Sequence, residues 1–200
     1  MHRTVGRVQI SSWLPAVMFG LAALGCESGG VGDPCVPEDE YQTRFSGFAV
    51  TEVNVESRSF QCETRVCLVN HFQGRVSCKY GQAEGESLCT VPGDETIPIE
   101  VPVQAQLRDR QTERAVYCSC RCNGPDENAR YCECPSGYAC EELVDDLSIG
   151  KGGQLAGSYC IKDRTQYDPK APLPNGTCTR SGTDPYDGTC GKEFGHEEEE

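Results

Sequence analysis

Cys118, Cys120 and Cys122 recur at every second residue, and Cys132 and Cys134 repeat the spacing. Closely spaced thiolates suit soft metals such as zinc and Cu(I). The usual zinc frame needs Cys-x2-Cys, which this chain lacks. In an oxidising compartment such thiols close into bridges. The pattern therefore predicts structural disulfides, with no metal and no cofactor. A catalytic reading finds little to work with. His71 is the one plausible imidazole base, since His196 sits in an acidic tail, and a strand histidine between Asn70 and Phe72 reads as packed or surface-facing. No Gly-x-Ser-x-Gly nucleophile motif is present. Gly150-Lys151-Gly152-Gly153 lacks the outer residues of a phosphate-binding loop. Asn175-Gly176-Thr177 has the form of a glycosylation acceptor, a match that chance supplies readily. No catalytic residue is expected, and the chain is not read as an enzyme.

Composition narrows the setting. The 200 residues carry 31 acidic and 18 basic side chains, a formal charge of −13. Nucleic-acid binding needs the opposite balance, so that partner is excluded. Adhesion to anionic lipid through charge is disfavoured for the same reason. Fifteen cysteines are far more than a reduced cytosolic protein carries, and fifteen is odd. One cysteine needs a separate explanation.

The leader offers it. Arg3 and Arg7 precede an apolar run from Trp13 to Leu24, with no acidic residue before Glu27. That run is too short for a bilayer span of about 20 residues and has the form of a secretory signal. It ends in Ala22-Ala23-Leu24-Gly25-Cys26, which resembles the lipobox of bacterial lipoproteins, with Ala23 and Leu24 in inverted order. The resemblance implies cleavage of residues 1–25 and lipid on Cys26. The other fourteen cysteines are then even in number, which predicts seven disulfides among Cys35, Cys62, Cys67, Cys78, Cys89, Cys118, Cys120, Cys122, Cys132, Cys134, Cys140, Cys160, Cys178 and Cys190. Their pairing is open, with on the order of 10⁵ connectivities. Loss of Arg3 and Arg7 deepens the acidity by two charges. The remainder is poor in Leu, Ile, Val and Phe, so cross-links must supply much of the stability.

The elements follow from periodicity. A Gly-rich tether is expected over 26–34, then a single disulfide-linked domain over 35–192 and an acidic disordered tail over 193–200. Sub-clusters are expected at 35–92, 97–161 and 162–192. Phe48, Val50, Val53 and Val55 alternate with polar residues, with a slip at Thr51-Glu52 read as a bulge. Val66 to Phe72 is a second apolar run, with Gly74 as a turn into Arg75–Tyr80. Ile97, Ile99, Val101, Val103, Ala105 and Leu107 alternate perfectly, and Pro98 and Pro102 place that strand at a sheet edge. From Tyr117 to Glu142 there is no Leu, Ile, Val, Phe or Met. A hairpin is expected there, Cys118, Cys120 and Cys122 facing Cys132 and Cys134 across the loop Asn123–Arg130. Leu143 to Leu147 reads as a helical turn, 149–157 as a loop, and Cys178 and Cys190 as a local pair. Residues 35–89 hold five cysteines and 118–160 hold seven. Both counts are odd, so at least one bridge must leave each group. The fold class is small and disulfide-rich, mainly β with much irregular loop and little helix outside the signal peptide.

Cys132-Glu-Cys-Pro-Ser-Gly-Tyr-Ala-Cys140 resembles the end of an epidermal-growth-factor-like module over nine residues. It departs from that family because Ala139 alone separates the aromatic from the last cysteine, so it is read as a convergent staple. Leu24-Gly25-Cys26, Gly32-Asp33-Pro34-Cys35 and the pair Cys62 and Cys67 give the whole chain a resemblance to the cysteine-rich lipoproteins of myxobacteria and their relatives, whose function is unknown. The resemblance implies a bacterial envelope location. Glu27 after the lipid cysteine implies sorting to the outer membrane. Membrane contact is expected through the lipid on Cys26, and the domain is expected to be structural or to bind an envelope protein or polysaccharide. The alternative is a small-ligand, metal or protease-binding, inhibitor-like module. Arg108, Arg110, Arg114, Arg121 and Arg130 form a local basic group able to receive an anion. Pairing with nearby acids such as Asp109 and Glu113 is the simpler expectation for them.

Overall fold

The computed structural model describes residues 29–144, 155–168, 170, 176–179 and 190. The leader, Cys26, Leu147, the stretch 150–153, Asn175 and the tail 193–200 lie outside them. The chain is mainly β. A 3-10 turn, Glu38–Tyr41, leads to β1 (Val53–Glu56) and β2 (Val66–Asn70). Next come β3 (Thr90–Val91) and β4 (Asp94–Pro98), then the single-turn helix α1 (Thr112–Ala115). β5 (Val116–Ser119), β6 (Arg121–Asn123), β7 (Tyr138–Val144) and β8 (Gly157–Lys162) complete the strands. They form three sheets, ordered β1-β2-β5, β3-β4 and β6-β8-β7, with every pairing antiparallel.

β2 is the central strand of the first sheet, and its unbroken apolar run fits burial on both faces. Cys67 and Val69 enter one core with Val116, Cys118, Phe48 and Phe72. Leu68 faces the other way, into a cluster with Tyr117, Tyr159 and Ile161 that joins the first sheet to the third. A third cluster packs Val91, Ile99 and Val103 around Cys78 and Cys89. Each core is small, and each contains or adjoins disulfides.

Two positions show how tightly the backbone is held. Gly47 and Gly74 have φ of 104° and 88° and lie back to back, linked by the hydrogen bonds of Phe48 with Gly74. A Cβ on Gly47 would sit 2.7 Å from the Gly74 carbonyl carbon, closer than packing permits. Beside this contact lies a fully buried ion pair. Arg75 Nε donates to Glu40 Oε2 at 3.2 Å, with both side chains shut off from solvent. Arg75 also donates to the carbonyls of Gln42, Phe45 and Glu40. Glu40 accepts from Val76 N at 2.7 Å and from Ser77 Oγ at 2.8 Å. Burial pushes the Glu40 carboxyl up, against the pull of Arg75 and its other donors.

The elements differ from the sequence expectation in six places. The slip at Thr51-Glu52 is a turn closed by Glu52 N on Ala49 O, ahead of β1. Arg75–Tyr80 forms turns around the Arg75–Cys78 bridge instead of a strand. The alternation over 97–107 is real as burial of Ile99, Val103 and Leu107, but the strand stops at Pro98. Beyond it the chain makes single bridges to Gln82 and Thr177, and Gln106 is buried because its amide donates to Arg75 O and Thr112 Oγ1. The expected hairpin is absent. The chain leaves the first sheet at Cys120, so Cys118 sits on β5 and Cys122 on β6, and β6 pairs with β8 instead of with Cys132 and Cys134. Leu143 and Val144 extend β7 instead of turning into helix. The Gly-rich segment is also docked from Gly29 onward: Gly29 N donates to Gln61 O and Gly32 N to Cys118 O.

Candidate functional site

The fourteen cysteines close into seven bridges: Cys35–Cys67, Cys62–Cys118, Cys78–Cys89, Cys120–Cys132, Cys122–Cys140, Cys134–Cys160 and Cys178–Cys190. Cys62–Cys118 is the crossing that the odd counts require. The ladders bring these bridges into two nests. Cys67 stands opposite Cys118 across β2 and β5, and Cys140 opposite Cys160 across β7 and β8. Three sulfur groups lie within 4.8 Å of one another: Cys35, Cys62 and Cys118; Cys120, Cys132 and Cys160; Cys122, Cys134 and Cys160. A sulfur held in a disulfide has no thiolate to give a metal, so these groups have metal geometry without metal chemistry. Cys26 lies outside the described residues.

The basic group splits. Arg110 is buried and makes a cage of carbonyls, donating to His71 O at 2.7 Å, Asn70 O at 2.7 Å and Thr165 O at 3.0 Å. Arg114 donates to Arg164 O, and Glu113 takes Lys79 at 3.8 Å. The anticipated pairing with Asp109 and Glu113 is thus replaced by carbonyl acceptors for these two arginines. Arg108 is exposed. Arg121 and Arg130 converge on an open cavity of about 370 Å³ that also exposes the Cys120–Cys132 bridge, between Thr64 and Tyr159.

His71 is a packed residue. It has φ of 50°, faces Val50 O with Nδ1 at 3.0 Å and stacks on the Tyr167 ring at 4.0 Å. Nδ1 must carry a proton to face a carbonyl. Burial lowers the His71 pKa, and Arg110 lowers it further, against the Val50 bond. A depressed folded pKa stabilises the chain above the ordinary value of about 6.5 and the contribution is lost as pH falls through the folded value. His71→Asn, whose side chain tolerates positive φ, is expected to flatten the decline in stability below pH 6.5. Urea unfolding of both chains between pH 8 and 5 measures the difference.

A second cavity, of about 580 Å³, lies beneath Tyr41 and Phe60. These two rings are 51% and 82% exposed, the most exposed aromatics among the described residues. The Arg65 guanidinium lies 4.2 Å from the centre of the Phe60 ring. Glu56 accepts from Glu38 N at 3.1 Å, and burial with the charges of Glu38 and Asp39 raises its pKa despite that bond. Ser59 lines the same cavity, and its Oγ is buried with no hydrogen-bond partner. Buried hydroxyls are normally bonded, so this one is an exception in the wall of the cavity. Sequence reasoning passed over both Phe60 and Ser59. A lone aromatic in a Ser-rich stretch carries no periodic signal.

These features define a class: a small, mainly β, disulfide-stapled domain of the extracellular type. Comparison with protein-family models, with curated proteins and with solved structures returns no match. Among the described residues no helix is long and apolar enough to cross a membrane.

Proposed function

We propose that the chain is a lipid-anchored protein of the bacterial cell envelope, held on the outer membrane through Cys26, that displays a disulfide-stapled domain for binding a macromolecule. One observation carries the reading. Every cysteine from Cys35 to Cys190 has a partner within the chain, which leaves Cys26, behind an apolar leader, as the remainder. Several acyl chains give stable anchoring where one gives marginal binding. The intact mass of membrane-extracted protein is expected to show loss of residues 1–25, acyl mass on Cys26 and no free thiol. An unacylated chain with a free Cys26 would remove the anchor.

The Tyr41–Phe60 face supports the binding role. Exposed aromatics beside arginines are the residue types that dominate recognition surfaces. Phe60→Ser is expected to weaken capture of an envelope protein or polysaccharide about tenfold, with unchanged urea stability. Equal capture by both chains, measured on separate protein and polysaccharide fractions, would move the binding face elsewhere.

A further inference from the structure

We infer that the Cys120–Cys132 disulfide is an exchange site for a small anionic thiol, backed by a second disulfide that can take over the displaced thiolate. Three independent features meet there. The bridge lines an open cavity, and within it Cys132 is half-buried while Cys120 is 5% exposed. A reagent entering from solvent therefore meets Cys132 first. Arg121 and Arg130 line the same cavity. Cationic surroundings draw an anion and stabilise the thiolate that leaves. Behind the bridge, Cys160 Sγ lies 3.5 Å from Cys120 Sγ and 3.8 Å from Cys132 Sγ while bonded to Cys134. The backbone holds this arrangement: Cys160 N donates to Cys120 O at 3.1 Å and Cys132 N to Arg121 O at 3.1 Å.

The chemistry balances. The incoming thiolate attacks Cys132 Sγ, a new S–S bond forms between them, and the Cys120–Cys132 bond breaks with its electron pair on Cys120. The Cys120 thiolate then attacks Cys160 Sγ, its contact neighbour. Cys120–Cys160 forms and Cys134 leaves as thiolate. Each step exchanges one S–S bond for another, so no outside oxidant is needed, and the thiol is the only co-reactant. Cys122–Cys140 also adjoins the Cys134–Cys160 bridge, and Cys140 is exposed, but neither of its cysteines lines the cavity that Arg121 and Arg130 share. Cys35–Cys67 and Cys62–Cys118 also share a nest, but all four cysteines are at most 1% exposed.

The test compares two thiols of the same skeleton, mercaptoethanesulfonate and mercaptoethanol, on the native full-length chain. Products are trapped by alkylation and mapped by peptide mass. The first adduct is expected on Cys132, with one free thiol per chain: on Cys120 after the first exchange, and on Cys134 once the new Cys120–Cys160 link has formed. The sulfonate is expected to react roughly tenfold faster than the neutral thiol at low salt, and added salt to erase the preference. Arg121→Gln with Arg130→Gln is expected to erase it as well. A first adduct on any other bridge, or equal rates for the two thiols on the unaltered chain, would overturn the inference. The reagent comparison needs no variant, so it stands even where the arginine substitutions disturb folding.

Discussion

A chain carrying Cys62→Ala and Cys118→Ala is expected to lose about 4 kcal/mol of stability, the largest loss from removing any one of the seven bridges. The separation of 56 residues is the longest among them. Loop-closure entropy grows with the logarithm of that length, so the Cys78–Cys89 bridge, with a separation of 11, is worth about 3 kcal/mol on the same scale. Location adds to the difference. Cys62 and Cys118 are both essentially buried in the core that holds Val69, Phe72 and Val116, and two alanines there leave empty space. It is also the bridge that joins the first cysteine group to the second. Urea unfolding with the other six bridges intact measures the loss. A Cys62/Cys118 variant no weaker than a Cys78→Ala, Cys89→Ala chain would show that length and placement do not govern stability here.

The existence of that crossing bridge was legible from counting, because five and seven are odd and disulfides pair. Its partners were not. Connectivity depends on the register Cys67 opposite Cys118 and Cys140 opposite Cys160, which long-range strand pairing sets. Local periodicity served well where one face meets one core. Val66-Cys67-Leu68-Val69 was readable as a buried strand because both its faces are covered. It misled at Cys118, Cys120 and Cys122, since period 2 assumes one continuous strand and the chain changes sheet at Cys120. Leu143 and Val144 are too short an apolar run to show a strand period of their own. Pairing with β8 as far as Gly157 decides them, an example of tertiary context overriding local preference. The Arg121–Arg130 cavity was half visible. Sequence placed both arginines in a basic group with Arg108, Arg110 and Arg114, but the fold sends Arg110 inward to carbonyls and leaves these two beside a disulfide.

Arg75→Met is expected to cost about 3–5 kcal/mol, because it strands a buried carboxylate. The loss has two parts that can be separated. Glu40 would keep its bonds from Val76 and Ser77 but lose the cation beside it. Its carboxyl, already pushed up by burial, would rise further. A group whose folded pKa is raised contributes stability below its unfolded value, and that contribution is lost as pH rises through the folded one. The Arg75→Met chain should therefore weaken more steeply with rising pH than the parent. Adding Glu40→Gln removes the charge and should flatten that dependence. It should not restore parental stability, because the carbonyls of Gln42, Phe45 and Glu40 would still lack the donors that Arg75 supplies. Arg75→Lys should fail as well, since one ammonium with three donors cannot reproduce a planar fork that serves four acceptors. The denaturation midpoints of all four chains across pH 4 to 8 decide the matter. Full recovery in the double variant would mean that the ion pair alone holds this core, and that the carbonyl contacts add nothing to it.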